Sequence, residues 1–214
     1  MKEKFNPRER LLEQLQMVFP DKPYTPMVKY VQPYKDTTSK AKTAFMDLET
    51  VHPDKLKFWS DTHFGHANII KYCNRPFADT KKMDARMIQN YFDHVQDDDV
   101  VIWVGDVAFT DHEHINGIIK TLPGYKILVV GNHDFHHRHK FPIQYDFDET
   151  HLVLTVGDFV ISHHPWWNVP GGWYNIHGHL HDRKTDNPKH FNVGVELLDY
   201  KPISLTEIIK ALGI

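Results

Sequence analysis

From residue 55 onward the chain alternates short apolar runs with longer amphipathic stretches. Leu56 to Trp59, Val100 to Val104 and Tyr125 to Val130 are brief, rich in β-branched and aromatic residues, and end at polar turns. That pattern predicts buried strands. Residues 68–72, 82–95 and 114–122 read as helices, the second with Met83, Met87, Ile88, Tyr91 and Phe92 at near-helical spacing. After residue 150 the pattern changes. His151 to Thr155 and Phe159 to Ser162 predict a hairpin about Gly157 and Asp158; Tyr174 to His177 and Phe191 to Val195 predict further strands, and 205–212 a closing helix. Strand–helix alternation followed by consecutive strands predicts an α/β or α+β domain, either one mixed sheet or a two-sheet sandwich, flanked by helices.

Residues 1–50 follow a different pattern from the expected domain at 51–214. Asn6 and Pro7 ahead of Leu11, Leu12, Leu15, Met17 and Val18 predict a short capped amphipathic helix. Pro20, Pro23, Pro26 and Pro33 then interrupt any regular element, and Thr37 to Lys42 is a polar linker. This arm is expected to pack on the domain or on a partner.

Composition narrows the function. A chain of 214 residues with 41% hydrophobic content can build one core. A net charge of -3 gives no support for broad binding of duplex nucleic acid, which calls for a basic surface, but leaves room for a nucleotide or a strand end. The single cysteine, Cys73, allows no intramolecular disulfide and is expected as a half-buried small residue rather than a catalytic thiol. The first residues lack the apolar core of a signal peptide, and no run has membrane-spanning length, so a soluble cytoplasmic protein without a membrane partner is expected.

The 17 histidines are the compositional outlier. About half fall in or beside five polar clusters, most of them just after an apolar run: Asp61-Thr62-His63, Gly105-Asp106, Gly131-Asn132-His133-Asp134, Ser162-His163-His164 and Gly178-His179-Leu180-His181. Carboxylate, amide oxygen and imidazole are donors for divalent transition metals. Strands that aim their carboxyl ends at one crevice would bring such clusters together. The i, i+2 spacing of Asp61 and His63 in extended backbone would turn both side chains to one ion. Gly105, Gly131 and Gly178 each precede a donor, where a sharp turn or a close approach is expected.

In order and content these clusters resemble the calcineurin-like metallophosphoesterase superfamily. Asp61 to Ile70, Asn74-Arg75-Pro76-Phe77, Asn192-Val193-Gly194-Val195 and Pro202-Ile203-Ser204-Leu205 further resemble its small bacterial and phage-type branch. The resemblance covers about residues 55 to 210. It implies a four-layer β-sandwich of two mixed sheets flanked by helices. It also implies two divalent ions, Mn, Fe, Zn or Ni, that cleave a phosphodiester or phosphomonoester by attack of a metal-activated hydroxide. Asp61, His63 and His181 would hold one ion, Asn132, His163 and His179 the other, and Asp106 would bridge them. His133 would contact the substrate phosphate and protonate the leaving oxygen, a role suited to a side chain that titrates near neutrality.

Other positions are read less sharply. Asn74, Arg75 and His66 are expected on the substrate side. Arg75 would pair a phosphate oxygen in two-pronged fashion, against the alternative of a surface ion pair. Asp134 would either orient His133 or cap the following turn. His163 is favoured as ligand over His164, which would sit at the rim, and His177 would support the ligands from behind. His136, His137 and His139 are expected in a solvated loop, and His112, His114 and His190 at the surface. Trp166, Trp167 and Trp173 would form a packed lid or core, or stack on a base. The Asp and Arg that the protein Ser/Thr phosphatase branch carries soon after its Gly-Asp are absent from Val107-Ala108-Phe109-Thr110, which speaks against a phosphoprotein substrate. A small nucleotide-like phosphoester is the expected partner. A metal-dependent nuclease and a non-catalytic binding module on the same fold are the alternatives.

Overall fold

Alternation within the first three strands decides the architecture. In the computed structural model, β1 (Leu56–Trp59), β2 (Val100–Trp103) and β3 (Tyr125–Val129) run parallel, with Leu56 opposite Val100 and Val100 opposite Tyr125. Successive side chains on a strand point to opposite faces. Leu56, Phe58, Val100, Ile102, Ile127 and Val129 therefore share one face, and they pack with Val156, Phe159, Ile161 and Ile176 of the second sheet and with Val193, just beyond its last strand. Trp59, Val101, Trp103 and Leu128 share the other face and pack against Met83, Met87, Tyr91, Ile115 and Ile119 from helices. A sheet covered on both faces needs near-continuous apolar strands, which is the pattern the sequence carries.

The structure describes residues 47–135 and 143–214. The expected N-terminal helix and linker, and the loop histidines His136, His137 and His139, lie outside those residues. The remaining strands are β4 (Glu149–His151), β5 (Leu154–Val156), β6 (Phe159–Ser162), β7 (Tyr174–His177), β8 (His190–Asn192) and β9 (Ile203–Ser204). One sheet has the order β4-β3-β2-β1-β9, antiparallel only at β9; the other has β5-β6-β7-β8, antiparallel only at β5. The helices are α1 (Ala67–Tyr72), α2 (Thr80–His94), α3 (His112–Thr121) and α4 (Leu205–Leu212). The chain is thus α/β with two mixed sheets and helices. Among the described residues, no helix is long and apolar enough to cross a membrane.

The differences from expectation have local causes. Helices α2 and α3 each start two residues early because Asp79 and Asp111 cap them, accepting the amides of Lys82 and Glu113. The strand expected at 151–155 is split. Glu149–His151 pairs in parallel with β3, and the chain then steps across to the other sheet, where Leu154–Val156 pairs with Phe159–Ser162. The hairpin about Gly157 and Asp158 survives with a shorter first arm. Polar Glu149, Thr150 and His151 show no strand periodicity because an edge strand is held by backbone pairing.

Candidate metal centre

All five polar clusters sit at the carboxyl ends of parallel strands: β1, β2 and β3 in one sheet, β6 and β7 in the other. The backbone there is not extended. Asp61, His63, Asp106, His179 and His181 have φ of 58°, 50°, 55°, 67° and 54°, in the left-handed region. The expectation that Asp61 and His63 converge through extended i, i+2 geometry is therefore corrected; tight left-handed turns bring them together. Each such residue costs about 1–3 kcal/mol and persists only where the surroundings over-determine it.

Two buried side chains supply that determination for the turns after β1 and β2. Asp134 accepts hydrogen bonds from the backbone amides of Asp106 at 2.8 Å, Val107 at 2.9 Å and Gly131 at 2.8 Å. It ties the loop after β2 to the loop after β3, a role neither expectation named; residues 136–142, which follow it, lie outside the described residues, and among the described residues no bond joins its carboxylate to the His133 ring. Arg75 donates to the carbonyls of Asp61 at 2.6 Å and Thr62 at 2.9 Å, and to Glu196 Oε1 at 2.6 and 3.0 Å. Its side chain has no exposed area, so the expected phosphate contact is corrected: its donors face inward. The close approach expected at Gly178 is present, since a Cβ there would run into Ser60 and the Asp61 carboxylate.

The donor atoms gather as the clusters suggested. Asp61, His63 and His181 bring one ligand atom each within 4.8 Å of one another. The Asn132 amide oxygen lies 3.0 Å from His163 Nε2 and 3.0 Å from His179 Nδ1. Asp106 Oδ2 stands between the groups, 3.6 Å from His63 Nε2 and 3.3 Å from His163 Nε2. His163 Nδ1 donates to the Val104 carbonyl at 2.7 Å, and His181 Nδ1 donates to Glu196 at 3.1 Å, so each ring is oriented through its outer nitrogen. His164 is exposed, with its ring 4.0 Å from that of His179, and offers a further ligand atom beside His163 and His179.

Burial and charge act on these groups in opposite directions. Burial pushes the Asp61 carboxyl up to about 6 and the His63 imidazole down to about 2. Burial also works against the charged forms of His163 and Asp106. Their contact prevails: His163 rises to about 9, helped by the charge of Asp61, and Asp106 stays below the ordinary carboxylate range. For His181, burial is outweighed by Cys73, Glu196 and the Asp61 charge, which carry it up to about 10. The residues fit a divalent cation. His63 is a fully buried neutral ring whose two nitrogens both lack a hydrogen-bond partner, next to the Asp106 carboxylate. A cation shared with that carboxylate would satisfy one of the two, Nε2, which faces Asp106.

The substrate-side expectations divide. His133 is partly open, 42% exposed in its side chain, and its backbone amide donates to Asp106 Oδ1 at 2.9 Å. It borders a cleft of about 220 Å³ whose other walls include Ala108, Phe109, Thr110, His112 and Tyr145. A larger groove of about 450 Å³ near Phe92 and Lys120 contains none of the clustered donors. His66 is half-buried and stacks on Phe109 at 4.1 Å, while Asn74 is exposed in a left-handed turn. His177 is buried, with Nδ1 against the Gly178 carbonyl, and Cys73 is half-buried beside His181. His190, expected at the surface, is half-buried against Thr185 and Asn187. The three tryptophans do not form one packed lid, since Trp167 is 94% exposed. Two residues were missed by sequence reasoning: Phe109, wedged among His63, His66 and His133, and Glu196, an isolated acid in an apolar stretch, which is the only signal it gave.

No family model matches the chain. The uncharacterized protein MJ1445 of Methanocaldococcus jannaschii is 36% identical over 172 residues, which span 74% of this chain and 91% of that protein. The gene 66 protein of Mycobacterium phage L5 is 34% identical over 83 residues, 37% of this chain and 40% of its own. The crystal structure of AQ665 from Aquifex aeolicus, a protein of unknown function, superposes with a TM-score of 0.57 at 29% identity and covers 73% of this chain and 98% of that one.

Proposed function

This chain belongs to the family of the uncharacterized M. jannaschii protein MJ1445, and we propose that it is a dinuclear metal-dependent phosphoester hydrolase of the calcineurin-like metallophosphoesterase type. The observation that carries the reading is the placement of Asp106 between two donor groups, Asp61, His63 and His181 on one side and Asn132, His163 and His179 on the other. One shared carboxylate between two such sets is suited to a pair of divalent cations. The two face-to-face mixed sheets are compatible with the sandwich of that superfamily.

Divalent ions bound there would acidify a water and hold the phosphoryl oxygens. The chain's own groups do the rest. Asp61 accepts the backbone amide of His179 and Asp106 that of His133, which fixes the turns carrying those rings, and the buried walls around His63 exclude bulk water. His133, open to solvent at the mouth, carries a proton to the leaving oxygen. The adjoining cleft, with Phe109 and Tyr145 among its walls, receives the remainder of a small nucleotide-like ester.

The test is hydrolysis of bis(p-nitrophenyl) phosphate and p-nitrophenyl phosphate by metal-stripped protein to which Mn, Ni, Zn or Mg is returned separately. Turnover that appears with at least one transition metal and vanishes with chelator supports the reading. No turnover with any metal, by protein shown to have bound it, refutes it.

A further inference from the structure

We propose that the buried Arg75–Glu196 pair sets the metal affinity of the first cation subsite, Asp61, His63 and His181, and leaves the second subsite to its own ligands. This rests on the dinuclear reading above and makes Arg75 a positioning residue.

Arg75 and Glu196 lie far apart in sequence and meet with side chains 0% and 4% exposed. Glu196 Oε1 accepts from Arg75 Nη2 at 2.6 Å, Arg75 Nε at 3.0 Å and His181 Nδ1 at 3.1 Å. The same guanidinium holds the carbonyls of Asp61 and Thr62. One ion pair thus grips the first subsite at two points: the left-handed turn that presents Asp61 and His63, and the ring of His181. The second subsite is oriented otherwise. His163 leans on the Val104 carbonyl, and Asn132 meets His163 and His179 directly.

A buried ion pair contributes little net stability, because desolvation offsets the attraction. Its retention here has a reason in charge and shape. A guanidinium beside a cation site would repel the ion; Glu196 neutralises it while leaving its planar fork of donors in place, a geometry that lysine cannot supply. Glu196 also fixes the His181 ring and raises its basicity, the usual effect of a carboxylate behind a ligating imidazole.

The experiment titrates the metal-stripped full chain with Mn²⁺ alone by calorimetry. His63→Ala and Asn132→Ala identify which binding event belongs to which subsite. Glu196→Gln keeps the shape, removes the charge, and lowers first-subsite affinity about 10- to 100-fold. Second-subsite affinity falls much less, by a few-fold at most, because among the described residues neither Arg75 nor Glu196 hydrogen-bonds Asn132, His163 or His179, and only Asp106 and the Asp61–His179 contact link the two subsites. Because a half-broken pair can unfold the protein, the double variant Arg75→Met, Glu196→Met replaces it with apolar groups that a buried site tolerates. It should fold, judged by circular dichroism, and still bind the first ion weakly. Equal loss at both subsites, unchanged first-subsite affinity, recovery of that affinity in the double variant, or failure of every variant to fold would each overturn the proposal. Wild-type protein that binds two Mn²⁺ ions but cleaves no phosphoester would sink the hydrolase reading and leave this one standing. Wild-type protein that binds none would end both.

Discussion

The Asp134 carboxylate accepts the backbone amide of Asp106 at 2.8 Å, and both groups are buried. The residue proposed to bridge two cations is thus held through its backbone amide by a second acid. With Val107 and Gly131 also donating to it, Asp134 locks the two loops that present Asp106, Asn132 and His133. Asp134→Ala leaves three buried amides without an acceptor and should cost about 3 kcal/mol of stability, since each unsatisfied buried group costs roughly 1–3 kcal/mol. Denaturant unfolding with and without metal measures it. A loss under about 0.5 kcal/mol would show that water replaces the carboxylate freely.

Asp106 and His133 should separate in their effects. Asp106→Asn weakens both cation subsites together and should lower turnover by roughly 100- to 1,000-fold or more, with reduced metal content. His133→Ala should lower turnover by a similar factor, about 100-fold or more, while metal content stays near wild type, because its proposed role is at the leaving oxygen. Parallel metal analysis and steady-state kinetics decide. Wild-type turnover in the first variant, or loss of both metals in the second, contradicts the assigned roles.

Metal loading should release protons. Without metal, His163 and His181 have pKa values of about 9 and about 10, above the ordinary imidazole range, so both carry a proton at neutral pH. Cation binding must displace roughly two protons near pH 7.5, seen by calorimetry in buffers of different ionisation enthalpy. Affinity should rise with pH until those values are passed, and should weaken again below the Asp61 value of about 6. The same shifts set the sign for the metal-free fold. A folded-state pKa raised above the unfolded one stabilises below about 6.5, and that contribution is lost as pH climbs through the folded values. The metal-free melting temperature should fall between roughly pH 7 and 10, and loading should flatten the decline.

Gly178 tests the packing of the site directly. An added Cβ meets Ser60 and the Asp61 carboxylate at distances that force a shift. Gly178→Ala should therefore displace Asp61 and weaken metal binding by about 10-fold or more. Retention of wild-type affinity would mean that the turn yields at little cost.

Much of the site was legible because most of the donor clusters follow an apolar run. Val100 to Trp103 and Tyr125 to Val129 announce themselves, and Asp106, Asn132 and His133 follow. What sequence could not supply was direction. Arg75 in a polar loop read as a phosphate contact or a surface ion pair, yet the fold turns it inward to carbonyls of residues 61 and 62 and to the buried Glu196. Glu196 gave no pattern, since one acid in an apolar stretch carries no periodicity; only Arg75 and His181 explain it. The split between β4 and β5 was hidden for a related reason, because a step from one sheet to the other leaves no mark in hydropathy.

The central claim is a pair of cations sharing Asp106. Anomalous diffraction from crystals of the Mn-loaded protein measures it most directly. The account predicts two peaks, roughly 3.5–4 Å apart, with the Asp106 carboxylate between them. A single peak, or two peaks that leave Asp106 unligated, would contradict it.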